Sequence, residues 1–131
     1  MRKICIITCL LAIIAGCKKG SDNGDSLTGT WKLTMSCGGF AGCLAVSSNY
    51  YLQLSSQHKY TLMPNDSTTY CGTYTTTYNL TTKTTILKLQ GNVTSISDSL
   101  EVHFDNDKLL LSSSIITSYF IRSIHTLKAC N

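Results

Sequence analysis

The chain is predicted to be all-β, a small up-and-down antiparallel barrel of about eight strands. Three observations predict it. Apolar and polar residues alternate with a period of two in one run after another. Clusters of turn-forming residues separate those runs at near-regular intervals. Beyond the first apolar segment, no window of about ten residues carries helical spacing.

The elements follow in order. Leu27-Thr28-Gly29-Thr30-Trp31-Lys32-Leu33 opens a strand predicted over 27–35. Tyr50, Leu52 and Leu54 share one face of a second strand, 49–55, and Tyr60 and Leu62 one face of a third, 59–63. The fourth, 68–78, is rich in threonine, with Tyr70, Tyr74 and Tyr78 at every fourth position. A helix would also align these tyrosines, but β-branched threonine disfavours helix and favours strand. Leu87 and Leu89 mark 84–90. Leu100, Val102 and Phe104 mark 99–104, with Glu101 and His103 on the opposite face. Leu109 and Leu111 mark 108–113, and Tyr119 and Ile121 mark 117–124. Between them lie Ser55-Ser56-Gln57-His58, Pro64-Asn65-Asp66-Ser67, Thr81-Thr82-Lys83, Gly91-Asn92 and Asp105-Asn106-Asp107, all turn chemistry. Short sequential hairpins favour a meander that closes on itself and so leaves no free edge. The residues predicted to point inward are Trp31, Leu33, Tyr50, Leu52, Leu54, Tyr74, Leu87, Leu89, Val102, Phe104, Leu109 and Leu111. A barrel of this size has room for side chains or one small ligand, and residues this large predict a filled or nearly filled interior.

The first residues are an address. Arg2 and Lys3 precede an unbroken apolar run, Ile4 to Gly16, which Lys18 and Lys19 end. The run is shorter than the roughly 20 residues a spanning helix needs. Its layout is that of a secretion signal, expected to be helical, and Ile14-Ala15-Gly16-Cys17 resembles a bacterial lipobox. The resemblance implies cleavage before Cys17, a diacylglyceryl thioether on Cys17, and anchoring by acyl chains. The expected division is a signal peptide over 1–16, a lipidated flexible tether over 17–26, and one barrel domain over 27–131.

The formal net charge is +4, but much of the excess lies in the leader and tether. The scattered charges beyond Leu27 form no basic stripe, which argues against nucleic-acid binding. With Cys5 and Cys9 in the leader and Cys17 lipidated, Cys37, Cys43, Cys71 and Cys130 remain. An oxidising compartment allows two disulfides in three connectivities. Cys37–Cys43 with Cys71–Cys130 is favoured, since the latter closes a long loop. Buried free thiols are the alternative. Zinc is a third option, without the paired close spacing of structural sites.

Gly29-Thr30-Trp31 resembles the Gly-x-Trp opening of lipocalin-like barrels, where the tryptophan closes the barrel floor and the glycine lets the chain bend. Gly38-Gly39-Phe40-Ala41-Gly42, Tyr51 to Ser55, Lys59-Tyr60-Thr61-Leu62, Gly72-Thr73-Tyr74, Asp107 to Ser112 and Tyr119-Phe120-Ile121-Arg122 are similar, in order and spacing, to small lipocalin-like lipoproteins of Bacteroidota. The chain is shorter than full lipocalins and lacks their C-terminal helix. The leader, the Gly-Thr-Trp strand and the periodicity together predict an envelope protein that takes a small apolar ligand or a partner protein. Lys18 rather than Asp after Cys17 predicts an outer membrane, with the periplasmic and surface faces both open.

No catalytic motif is present: no Gly-x-Ser-x-Gly, no His-Glu-x-x-His and no phosphate loop. His58, His103 and His125 lack metal-ligand spacing. No enzyme activity, cofactor or metal is therefore expected. Ser26, Ser67 and Ser99 each follow an Asp and precede Leu27, Thr68 and Leu100. These tripeptides resemble the O-glycosylation sequon of Bacteroidota; turn chemistry explains them equally. If one barrel face inverts the alternation, Tyr51, Tyr60, Tyr70 and Tyr78 line a mouth; cross-strand packing is the alternative. The reading is a lipid-anchored envelope protein holding a small apolar ligand. The second reading is an interaction or structural module with a filled barrel, including an inhibitor of exported proteases that uses the loop over 38–48.

Overall fold

The computed structural model describes residues 26–91, 99–105, 107–128 and 130. The signal peptide, Cys17 and most of the tether lie outside them. Nine strands form one antiparallel sheet. They are β1 (Gly29–Gly38), β2 (Cys43–Ala45), β3 (Tyr51–Leu54), β4 (Lys59–Asn65), β5 (Thr68–Asn79), β6 (Thr84–Gly91), β7 (Leu100–Asp105), β8 (Lys108–Ser112) and β9 (Ile116–Ser123). Each of β3 to β8 pairs with the next, and β1 pairs with β9 from Thr30↔Ser123 to Gly38↔Ile116. The sheet is thereby a closed eight-stranded barrel, with β2 as an extra strand.

β1 is long enough to take two partners on one side. Its first half pairs with β3 (Gly29↔Leu54 to Lys32↔Tyr51) and its second with β2 (Met35↔Ala45 to Cys37↔Cys43). A bulge separates the halves between Leu33 and Met35. The Thr34 hydroxyl there donates to the Tyr119 carbonyl at 3.0 Å. The bulge changes the inward parity of the strand, so that Leu33 and then Ser36 face the interior. The pattern-based reading omits β2. Its three residues are all exposed and carry no alternation to read.

Turns form where the polar clusters predict them. The Asn65 carboxamide oxygen accepts the N–H groups of Ser67 and Thr68, and that of Asn79 accepts those of Thr81 and Thr82. These Asx turns supply the backbone partners that a tight reversal otherwise lacks. His58 in the β3–β4 turn and Lys83 in the β5–β6 turn occupy the left-handed region, with φ of 60° and 56°.

The core follows the alternation. Trp31, Leu33, Leu52, Leu54, Tyr74, Leu87, Val102, Leu109 and Leu111 are buried, joined by Tyr60, Leu62, Leu100 and Phe120. Tyr50, Leu89 and Phe104 are partly buried against them. Each fully buried large side chain contributes about 1.5–3 kcal/mol. Tyr60 fits because Gly72 and Gly91 leave room. A Cβ on either would stand 2.7 Å from its ring or hydroxyl.

Both expected disulfides are present, Cys37–Cys43 and Cys71–Cys130. After β9 the chain runs as a non-helical strap over the outside of the barrel. His125 stacks on Tyr51 at 4.7 Å, Leu127 is buried, and Cys130 reaches Cys71 on β5.

Candidate functional site

The barrel has two unlike ends. One collects the start of β1 and the connections β3–β4, β5–β6 and β7–β8. The other collects β1–β2, β4–β5 and β8–β9, with the end of β6 and the start of β7.

The first end is a floor. Trp31 is 0% exposed, and its indole N–H donates to the Leu27 carbonyl at 2.9 Å. Phe104 lies 6.2 Å away, ring to ring. Arg122, paired with Trp31 in the sheet, lays its guanidinium over the indole at 4.3 Å from the centroid. It also donates to the carbonyls of Thr28 at 3.2 Å and Ser26 at 2.9 Å. Gly29 makes that geometry possible. Its φ is 138°, and a Cβ there would meet the guanidinium at 2.7 Å. The expected roles of Gly29 and Trp31 thus have a third participant, Arg122. The alternation of Tyr119 and Ile121 points Arg122 outward, whereas the structure buries Phe120 and turns Arg122 inward, two residues on. The Tyr74 hydroxyl donates to the Ser55 carbonyl at 2.7 Å and ties the β3–β4 turn to the same end.

Among the described residues, the second end is open. Between the walls lies a cavity of about 250 Å³. Leu33, Leu52, Leu62, Leu111 and Phe120 form its bottom, and Leu89, Leu100 and Ile116 its sides. Polar groups are confined to Ser36, Ser113, Ser118 and the Tyr50 phenol. Tyr50 meets Phe120 edge-on at 6.4 Å, and burial raises its pKa above the usual phenol value. The prediction of a filled interior describes the floor half and fails at the mouth. The reason is local: Ser36 and Ser118 face each other across β1 and β9 where large residues would have closed the space.

The four tyrosines that an inverted alternation would bring to a mouth do not line one. Tyr51 is on the outer wall beneath His125, Tyr60 is in the core, and Tyr78 is exposed on the β5–β6 hairpin. Tyr70 packs against the core from β5. The alternation is not inverted on any of these strands, so Tyr50 alone of the tyrosines borders the cavity.

The titratable groups are dispersed. His58 lies 5.4 Å from the Tyr74 ring, and His103 sits 3.8 Å from Glu101 on the outer wall. Among the described residues no three His, Cys, Asp or Glu side chains gather. Ser26, Ser67 and Ser99 are all exposed. The arrangement can bury an apolar molecule and offer it a hydroxyl or two. Compared with protein families, curated proteins and solved structures, the chain has no match.

Proposed function

We propose that the protein is a lipid-anchored lipoprotein of the bacterial cell envelope, on the outer membrane, whose lipocalin-like barrel holds one small apolar molecule without acting on it. The observation that carries this reading is the mouth cavity, apolar at the bottom with hydroxyls at the rim. Pockets of this composition bind by burial and orient by a few polar groups. An apolar cavity of about 150 Å³ already accepts a benzene ring, and this one is larger and open. The apolar run ended at Cys17 supports the anchor, and Gly29-Thr30-Trp31 at the floor supports the family likeness.

Native mass spectrometry of protein taken from its own membrane tests the cargo. A co-purified small molecule is expected, and it disappears in Ser118→Leu, which fills the cavity. A bare mass in both demotes ligand carriage. Metabolic labelling with palmitate tests the anchor. Label is expected on the wild-type chain and absent from Cys17→Ala.

A second reading, a module that contacts an envelope protein such as an exported protease, draws support from the loop between Cys37 and Cys43. Phe40 at its tip is fully exposed. Crosslinking in cells that traps one dominant partner through this loop would favour it.

A further inference from the structure

Four large apolar side chains stand in solvent around the mouth: Phe40, Leu44 (59% exposed), Ile115 (72%) and Ile116 (47%). They come from two adjacent connections, held together by pairing of Gly38 with Ile116. A shallow groove lined by Gly38, Leu44, Val46 and Ile116 runs between them. Phe40 has no packing role in the fold, yet the Cys37–Cys43 disulfide braces the loop that presents it. The segment from Leu33 to Gln57 carries no Asp, Glu, Lys or Arg, nor does that from Leu109 to Ile121. Asp66 is the only ionic group in the described mouth connections. Lys59, Lys83, Asp105, Asp107, Lys108 and Arg122 gather towards the floor.

We infer that this rim is a membrane-docking surface that seats on an uncharged, zwitterionic lipid interface, with Phe40, Leu44, Ile115 and Ile116 among the upper acyl chains. Exposed apolar clusters of this kind mark interaction sites, and a lipid surface asks for apolar area without a charge pattern. Reach also fits, and this part rests on the anchor proposed at Cys17. Ser26 lies at the floor, bound by Arg122. Cys17 is nine residues upstream, so the tether spans at most about 30 Å. The wall is ten residues of β1, roughly 24 Å high at the usual tilt. The anchor and the mouth can therefore share one membrane plane, and the cavity then opens directly onto lipid.

The test uses the full chain, produced in a host that processes lipoproteins and reconstituted into phosphatidylcholine vesicles with brominated acyl chains. Phe40→Trp places a fluorescent probe at the rim and Lys83→Trp one at the floor; buried Trp31 is common to both. Emission from F40W is expected to fall at least about twofold in brominated relative to plain vesicles, with K83W little changed. Equal quenching of both, or of neither, overturns the proposal. A blue shift of F40W without bromine quenching also overturns it. A concentration-dependent dimer mass then identifies a second copy as the occupant, and a monomeric mass points to a protein partner. Flotation reports the anchor separately. A chain that does not float with vesicles refutes the tether at Cys17, and F40W quenching on adding brominated vesicles still decides the rim.

Discussion

At the floor, Trp31 is sealed by Leu27, Phe104 and the Arg122 guanidinium, its indole N–H donates to the Leu27 carbonyl, and the guanidinium donates to the carbonyls of Thr28 and Ser26. At the mouth, serines face one another across β1 and β9, Tyr50 is only partly buried, and a cavity of about 250 Å³ remains. The same strands build both ends. The difference is side-chain volume at inward positions. Large residues in contact close one end and hold the barrel, and small hydroxylated ones leave the other available to a ligand. Packing is thereby complete in one layer of the sheet and open in the other.

The sharpest way to break this division is Trp31→Ala. The loss expected is about 3–5 kcal/mol, seen as a large fall in the denaturant midpoint, because a fully buried indole leaves a void the rigid walls cannot close. Tyr50→Ala at the mouth is expected to cost about 1 kcal/mol or less, since its side chain already borders open space. Equal losses at the two positions would refute the division.

The disulfides repeat the contrast at the next magnitude. Cys71–Cys130 spans 59 residues and fastens the strap to β5, whereas Cys37–Cys43 spans 6 and braces one loop. Chain-entropy reasoning puts the two near 4 and 2 kcal/mol. Serine pairs at 71 and 130 should lower the thermal midpoint more than serine pairs at 37 and 43. The second change should instead raise hydrogen exchange at the mouth.

Arg122→Met keeps the stem and removes the guanidinium. A loss of about 1–3 kcal/mol is expected from the cation–π contact and the bonds to carbonyls. Arg122→Lys should recover little, because a lysine cannot both stack on the indole and reach two carbonyls.

The smallest effect has the opposite sign. The Tyr60 hydroxyl is buried without a hydrogen-bond partner among the described residues, so Tyr60→Phe should be neutral or stabilising by about 1 kcal/mol. Burial raises the pKa of Tyr60, as it does for Tyr74 and Tyr50. Their folded values thus lie above the unfolded value near 10. The associated stability is complete below that pH and is lost as pH rises from the unfolded towards the folded value. Urea midpoints measured across this alkaline range should fall less steeply for Y60F than for wild type.

Much of the fold was legible because a strand with one buried face must alternate. Nine of the inward residues expected from period two are buried, and Tyr50, Leu89 and Phe104 are partly so. β2 was not legible, because its residues are exposed on both faces and only pairing with the second half of β1 makes them a strand. The mouth cavity was hidden for a related reason. It depends on the Thr34 bulge, which brings Ser36 inward beside Ser118, and a parity change of that kind leaves no mark in composition. On β9 the apolar alternation marks Tyr119 and Ile121, whereas Phe120 and Arg122 face inward, and the role of Arg122 depends on Trp31 and Gly29 arriving beside it.

By itself the sequence determined the all-β class, the positions of eight of the nine strands and the turn chemistry, because each is written in local spacing. Closure of β1 on β9, the bulge, the guanidinium over the indole and the open mouth were decided only by the tertiary structure. Each depends on residues far apart in the chain meeting at close range, and no local pattern encodes which volumes will face each other.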